Sequence, residues 1–307
     1  MVNAVVVGSI NMDVVLSVER FPQPGETLTG LELNHYPGGK GANQAVAIAR
    51  MGTSVAMIAH VGSDGYGQQL LSGLNNNSVI TTAVGKKEDV SSGLAFITVD
   101  SKGENNIVLI PGANHELSPD DVESNLNIIS KAKAVVIQFE IPMETNRRAL
   151  ELAKQHDKLT IVNPAPALPP EDAKAAVEHA DVLVVNETEA ALLSGLPVND
   201  TEEARHAGKK LLSSGPEAVI VTLGAEGAVL VTADQATHLP APEVDVVDTT
   251  AAGDAFIGAL TAALINGESM QDAVELANCA GALAVTKPGA QPSLPTMDDV
   301  ITFRNGL

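Results

Sequence analysis

One cysteine in 307 residues, Cys279, leaves nothing for an intrachain disulfide to join and suits a reducing compartment. It lies in an apolar helical run, where a buried, inert thiol is the expectation. Basic residues are scarce: 18 Lys and Arg against 38 Asp and Glu give a formal charge of −20. Such a chain is a poor partner for nucleic acid or an anionic membrane, both of which attract basic surfaces. A phosphate ligand would have to be held by local amides, a lysine or a metal, because the general field repels it. No apolar run approaches the ~18–20 residues a membrane span needs. The opening MVNAVVVGSI lacks the basic start and long apolar core of a signal peptide, so a soluble cytoplasmic protein is expected. Two common nucleotide loops are missing too. The stretch Gly38-Gly39-Lys40-Gly41 has no Gly five residues before Gly39 and has Gly41 where a phosphate-binding P-loop needs Ser or Thr. No G-x-G-x-x-G follows a strand, and no repeat of 20–50 residues is visible.

What the chain has is 45% hydrophobic residues with no low-complexity run, the composition of a globular domain. Residues 2–7 form a continuous β-branched run of the kind found in strands buried on both faces. Further strands are predicted at 55–60, 134–137, 159–162, 182–185 and 218–221, with helices ending near Gly52 and covering 144–155 and 297–304. Ser118-Pro119-Asp120-Asp121 is a helix start. Gly62-x-x-Gly65-x-Gly67 reads as a polar bend before a short helix, and the segment after Cys279 as a Gly- and Pro-bearing loop. Residues 13–37, broken by Phe21-Pro22-Gln23-Pro24-Gly25, and residues 92–99 and 106–111, flanking Asp100–Gly103, read as antiparallel strands of a small projecting sheet. A hairpin at 228–232 and 236–239 favours an open sheet over a closed barrel. Polar residues recur just past strand carboxyl ends, where open α/β sheets place their sites.

The stretch 245–267, DVVDTTAAGDAFIGALTAALING, carries the most chemistry. Ala251, Ala252 and Gly253 at a helix start leave amide N–H groups uncovered, which makes an anion site. Asp254 follows in the first turn, where a carboxylate is unhelpful to passive anion binding but apt for taking a proton from an attacking hydroxyl. A helix start should lower its pKa. The plain alternative is an acid that complements the helix dipole and small residues that pack closely. Asn266-Gly267 ends the helix, both residues being tolerant of left-handed backbone. Far upstream, Asn11 and Asp13 share one side of an extended segment, and GGKGANQA offers close backbone approach with donors on Lys40 and Asn43. Plain turn and cap roles fit these residues as well. Asn186 and Glu189 share a helix start, a capping arrangement by itself.

DTTAAGDAF and GGKGANQA, in that order's reverse along the chain and over two hundred residues apart, resemble the two signatures of the ribokinase-like (PfkB-type) carbohydrate kinases. The likeness extends over essentially the whole chain. It implies one α/β domain over 1–307: a three-layer, open, mostly parallel sheet flanked by helices, with a small β-sheet lid formed by about 13–37 and 91–111. It implies transfer of the γ-phosphoryl group of ATP to the 5-hydroxyl of D-ribose. Asp254 is then the base, and the Ala251, Ala252 and Gly253 amides form the anion hole. The sugar would be held by Asn11, Asp13, Gly39, Lys40, Asn43, Glu140 and Asp254. The nucleotide would lie along Thr222, Gly224, Gly227, Gly253 and Asn278, with Asn186 and Glu189 positioning Mg²⁺ through water. A potassium-type cation would sit among Asp248, Thr250, Ala284, Lys287, Gly289 and Ser293, chiefly on main-chain oxygens. A homodimer through the lid sheet is implied too. Deoxyribose, another sugar or a nucleoside as substrate, and a pentose-binding regulator without catalysis, are the alternatives.

Overall fold

The computed structural model describes residues 2–306. Strand β1 (Ala4–Val7) sets the architecture: Ala4 and Val6 join one hydrophobic core while Val5 and Val7 join another on the opposite face. A strand covered on both sides is apolar at every position, as the β-branched run of residues 2–7 predicts. The chain continues through β2 (Asn11–Ser17), β3 (Glu32–Gly38), α1 (Lys40–Arg50), β4 (Val55–Gly62), α2 (Gly65–Asn76) and β5 (Ile80–Lys87). A hairpin of β6 (Gly93–Val99) and β7 (Asn105–Ile110) leads through a 3-10 turn at Gly112–Glu116 to α3 (Pro119–Ser124) and α4 (Leu126–Ile129). Alternation then sets in with β8 (Ala134–Gln138), α5 (Met143–Gln155), β9 (Leu159–Asn163), α6 (Pro170–Glu178), β10 (Val182–Asn186), α7 (Glu187–Ser194), α8 (Thr201–Leu212) and β11 (Ala218–Thr222). The hairpin β12 (Ala228–Thr232) and β13 (Ala236–Leu239) precedes α9 (Ala252–Ile265), α10 (Met270–Ala284), α11 (Ala290–Ser293) and α12 (Met297–Asn305).

The main sheet has nine strands in the order β13-β12-β11-β10-β9-β8-β1-β4-β5, parallel except for the β12–β13 edge. From β1 the chain first builds one way, to β4 and β5, and then returns to build the other way from β8. The reversal lies between β1 and β8, and an open sheet binds ligands outside the carboxyl ends of its strands at such a point. Ser9 and Glu140 stand just past these two ends.

The small sheet, β3-β2-β6-β7, differs from expectation in one pairing: β2 and β6 run parallel. After β3, four elements of the main body (α1, β4, α2 and β5) intervene between them, ample for the crossover that a parallel pair requires. α2 is a full 12 residues and starts at Gly65, because Asp64 caps it by accepting from the Gly67 amide at 2.7 Å. β5 was not anticipated; its sequence, ITTAVGKK, mixes polar and apolar residues as a half-exposed edge strand does. α6 also escaped notice, and α10 runs on past Cys279 to Ala284. At the end of α9 only Gly267 takes a left-handed backbone, with φ 88°, while Asn266 stays right-handed. Among the described residues no helix is long and apolar enough to cross a membrane.

Candidate active site

Gly39 turns β3 into α1. Its φ is 87°, and a Cβ there would lie 2.7 Å from the Asn11 nitrogen, so the turn excludes any side chain. The turn delivers the Lys40 amide to Glu140 Oε2 at 3.1 Å. The same oxygen accepts from the Ser9 hydroxyl at 2.5 Å and, at 3.5 Å, from Asn11 Nδ2. Asn11 is held in turn by Asn114, whose Nδ2 donates to Asn11 Oδ1 at 2.7 Å while its own Oδ1 accepts from the Ile10 amide. Ser9 and Asn114 were not anticipated. Both sit in turns after strands, where the sequence shows ordinary loop formers.

The second half of the site comes from α1 meeting α9. Asn43 Nδ2 donates to Asp254 Oδ2 and Gln44 Nε2 donates to Asp254 Oδ1, each at 3.0 Å. One turn along each helix, Gly258 faces Ala47 so closely that a Cβ at 258 would lie 2.3 Å from the Ala47 Cβ. Residues four apart share a helix face, so these glycine and alanine positions set how near the polar pair above them comes. Gln44 lies inside GGKGANQA, but nothing in that pattern marks it as a partner of the acid.

Electrostatics correct one expectation. The Asp254 carboxyl is pushed up, not down: burial dominates, and Glu140 adds to it, against the opposing pull of Lys40 and the two amide donors. The helix start does not prevail because the side chain is almost wholly enclosed. Asp13 is pushed up to about 7 by burial and by the charges of Glu140 and Asp254. Burial likewise raises Glu189, with Lys40 pulling against it and Glu187 and Asp254 adding to it. Lys40 is desolvated, yet Asp254, Glu140 and Glu189 outweigh that and keep it firmly charged. A single cation thus stands among several carboxyls that share too little water.

At the head of α9, Ala251 takes a left-handed backbone with φ 61°, while Gly253 is exposed with open space where a side chain would be. The Ala252 amide, expected to be uncovered, donates to the Thr249 carbonyl at 3.3 Å across that turn. Beside this head lies a cavity of about 560 Å³ that brings together Thr222, Gly224, Gly227, Gly253 and Asn278, with Val246, Phe256 and Val285 as apolar wall. Asn278 is in the wall, but its Nδ2 is engaged by the carbonyls of Leu239 and Pro240, so it braces the end of β13 and does not reach freely into the space.

Asn186 and Glu189 form a complete capping box: Glu189 accepts from the Asn186 amide at 3.0 Å and Asn186 Oδ1 accepts from the Glu189 amide at 2.8 Å. They lie outside the cavity lining. Among the described residues no three His, Cys, Asp or Glu gather as a metal cage. The carboxylate of Glu189 and the amide oxygen of Asn186 are oxygen ligands of the kind a hard cation takes, directly or through water. Elsewhere Asp248 ties two loops: it accepts from the Thr250 amide and hydroxyl, at 2.9 and 2.6 Å, and from the Gly289 amide at 2.8 Å. The Ala284 carbonyl accepts from Lys287, and the Ser293 hydroxyl donates to Ala290. The bond between Asp248 and Gly289 joins the two loops expected to hold a cation.

A buried acid at a helix head, held by two side-chain amides from the helix that follows the glycine–lysine turn and flanked by a cavity with an apolar wall, is the arrangement of a phosphotransferase. Residues 1–297 match the pfkB family carbohydrate kinases, and the chain belongs to that family. It is 41% identical over 300 residues to the ribokinase of Staphylococcus aureus, covering 96% of this chain and 97% of that protein. It is 38% identical to the deoxyribokinase of Salmonella typhi, covering 95% of each. The structure of Arabidopsis thaliana ribokinase complexed with ribose and ATP superposes with a TM-score of 0.91 at 30% identity, over 99% of both chains.

Proposed function

We propose that this chain transfers the γ-phosphoryl group of ATP to the 5-hydroxyl of D-ribose, releasing ADP and D-ribose 5-phosphate. The observation that carries the reading is the double hydrogen bond from Asn43 and Gln44 to Asp254, which joins the two motifs into one site. Ribose would lie between the small sheet and the body, against Asn11, Asp13, Gly39, Lys40, Asn43 and Glu140. Asn43 Oδ1 is buried without a partner, so a sugar hydroxyl would satisfy it. ATP would occupy the cavity along Thr222, Gly224 and Gly227, its phosphates reaching the head of α9.

Asp254 would take the proton of the 5-hydroxyl as that oxygen attacks the γ-phosphorus, while Lys40 and the Ala251–Gly253 main chain stabilise charge on the transferred group. Mg²⁺, positioned through water by Asn186 and Glu189, would neutralise charge on the phosphates. A monovalent cation such as K⁺ would sit on the carbonyls of the loops that Asp248 ties together, near the anion hole. The small sheet serves as the lid, closing to exclude water. Ile107 and Leu109 share the Asp13 face of that sheet, Phe96 and Val108 lie on the other, and all four are exposed. Exposed apolar residues on both faces support a dimer through the lid.

A coupled ADP-release assay with a panel of sugars tests the reading. Turnover with ribose, and its loss by about 10²–10⁴-fold in Asp254→Asn, is expected. Undiminished turnover in that variant would sink the assignment of Asp254. The deoxyribokinase relative keeps 2-deoxyribose as a second substrate reading, and a higher kcat/KM for it than for ribose would decide in its favour.

A further inference from the structure

Behind Asp254 lies a chain of buried amides that takes no part in the steps above. Its far end is the Val184 carbonyl in the middle of β10, which can only accept. Asn163 Nδ2 must therefore be the atom that donates to it, at 3.2 Å. That leaves Asn163 Oδ1 facing Gln44, so Gln44 presents its amide nitrogen there, also at 3.2 Å. The same nitrogen reaches Asp254 Oδ1 at 3.0 Å. Gln44 Oε1 is then turned to Gln138, whose Nε2 donates to it at 2.6 Å. One obligate acceptor in a central strand thus dictates the orientation of three side chains in succession. Gln44 and Gln138 are fully buried and Asn163 nearly so, so none can turn over at the expense of water contacts. The Gln138 Oε1 atom ends the chain without a partner, a cost that a purely structural arrangement would not need.

Resting on the proposed phosphoryl transfer, we propose that Gln44 is a positioning residue. Its amide, oriented from β10 through Asn163, holds Asp254 Oδ1 as an acceptor and turns the opposite oxygen, shared with Asn43, toward the substrate hydroxyl. The carboxylate would otherwise be free to rotate or to hold a proton among its neighbours. The ionisable groups around it are Lys40 on α1, Asp13 on β2, Glu140 beyond β8 and Glu189 on α7, and only the first favours its charge. A fixed N–H donor works on the side of Lys40, favouring the ionised base.

The test uses Gln44→Met, which keeps the shape and removes the donor, and Gln44→Glu, which places a second carboxyl against the first. Full-length variants are assayed for ADP release with ribose across pH, beside wild type and Asp254→Asn, with thermal melts to establish folding. In Gln44→Met, kcat should fall by roughly 10–100-fold while the sugar KM stays within about threefold. The acid limb of the kcat profile should move to higher pH. In Gln44→Glu the limb should also move up, because the paired carboxyls share a proton; this variant carries the test if Gln44→Met does not fold. A folded variant with a wild-type limb, whether or not kcat falls, would overturn the proposal by reducing Gln44 to a packing role. Inactive wild type, or an active Asp254→Asn, would instead overturn the functional reading on which it rests.

Discussion

Replacing Gly258 with alanine is expected to damage catalysis without touching a polar group. A Cβ there would lie 2.3 Å from the Ala47 Cβ and 2.8 Å from the Ala47 carbonyl carbon. Carbon atoms in ordinary contact are about 3.5–4.0 Å apart, so α1 and α9 must separate by roughly 1.2–1.7 Å. Asn43 and Gln44 lie one turn before Ala47, and Asp254 one turn before Gly258, so the separation falls directly on their two 3.0 Å hydrogen bonds. Stretched past about 4 Å these cease to be hydrogen bonds, and a misplacement on the order of 1 Å costs about 10²-fold in rate. Stability should suffer less. Overpacking costs about 1–3 kcal/mol, offset by the ~1 kcal/mol that alanine gains over glycine inside a helix. The assay is kcat for ADP release together with a urea melt. A folded Gly258→Ala enzyme with wild-type kcat would refute the claim that this close approach sets the geometry of the acid.

Three further outcomes are expected. Asp13, pushed up to about 7 from 3.8, holds a proton in the folded state that the unfolded chain has released across that window. Stability therefore falls as pH rises from about 4 to about 7. Asp13→Asn should flatten that fall and melt higher than wild type at pH 8, while raising the ribose KM; a pH dependence of stability identical to wild type would contradict it. Asp181 accepts from the Thr160 amide at 2.7 Å and its hydroxyl at 2.9 Å, and pairs with Lys154. Asp181→Ala strands that buried amide and should cost about 1–3 kcal/mol in a denaturant titration with kcat unchanged. Ile107→Glu combined with Val108→Glu charges both faces of the small sheet and should break the proposed dimer: sedimentation is expected to report a dimer for wild type and a monomer for the variant, and equal masses for the two would contradict a dimer through this sheet.

Much of the layout was legible along the chain. Strand β1 advertised burial on both faces because the whole run is apolar, and the β12–β13 hairpin announced itself by its spacing. Ala251–Gly253 and Asp254 stood out because small residues followed by an acid at a helix start are local facts that a sequence carries intact. The glycine turn at 38–41 was visible for the same reason. Local patterns did not carry the charge state of Asp254. A helix start argues for a lowered pKa, but the enclosure that raises it comes from α1, from Glu140 beyond β8 and from the body of the protein, residues distant in sequence. Ser9, Gln44, Asn114, Gln138 and Asn163 were equally unmarked, since each looks like an ordinary turn or helix residue until its partner arrives.

The sequence by itself determined most of the elements and their order, β5 and α6 excepted, and the two short motifs whose residue types suit phosphate and hydroxyl chemistry. All of these depend on neighbours within a few positions. The tertiary structure alone decided that α1 and α9 meet at Ala47 and Gly258, that the two motifs share one acid, and that this acid keeps its proton more tightly than its helix position suggests. Those outcomes depend on distances between residues some two hundred positions apart, and such distances exist only once the sheet has brought the helices together.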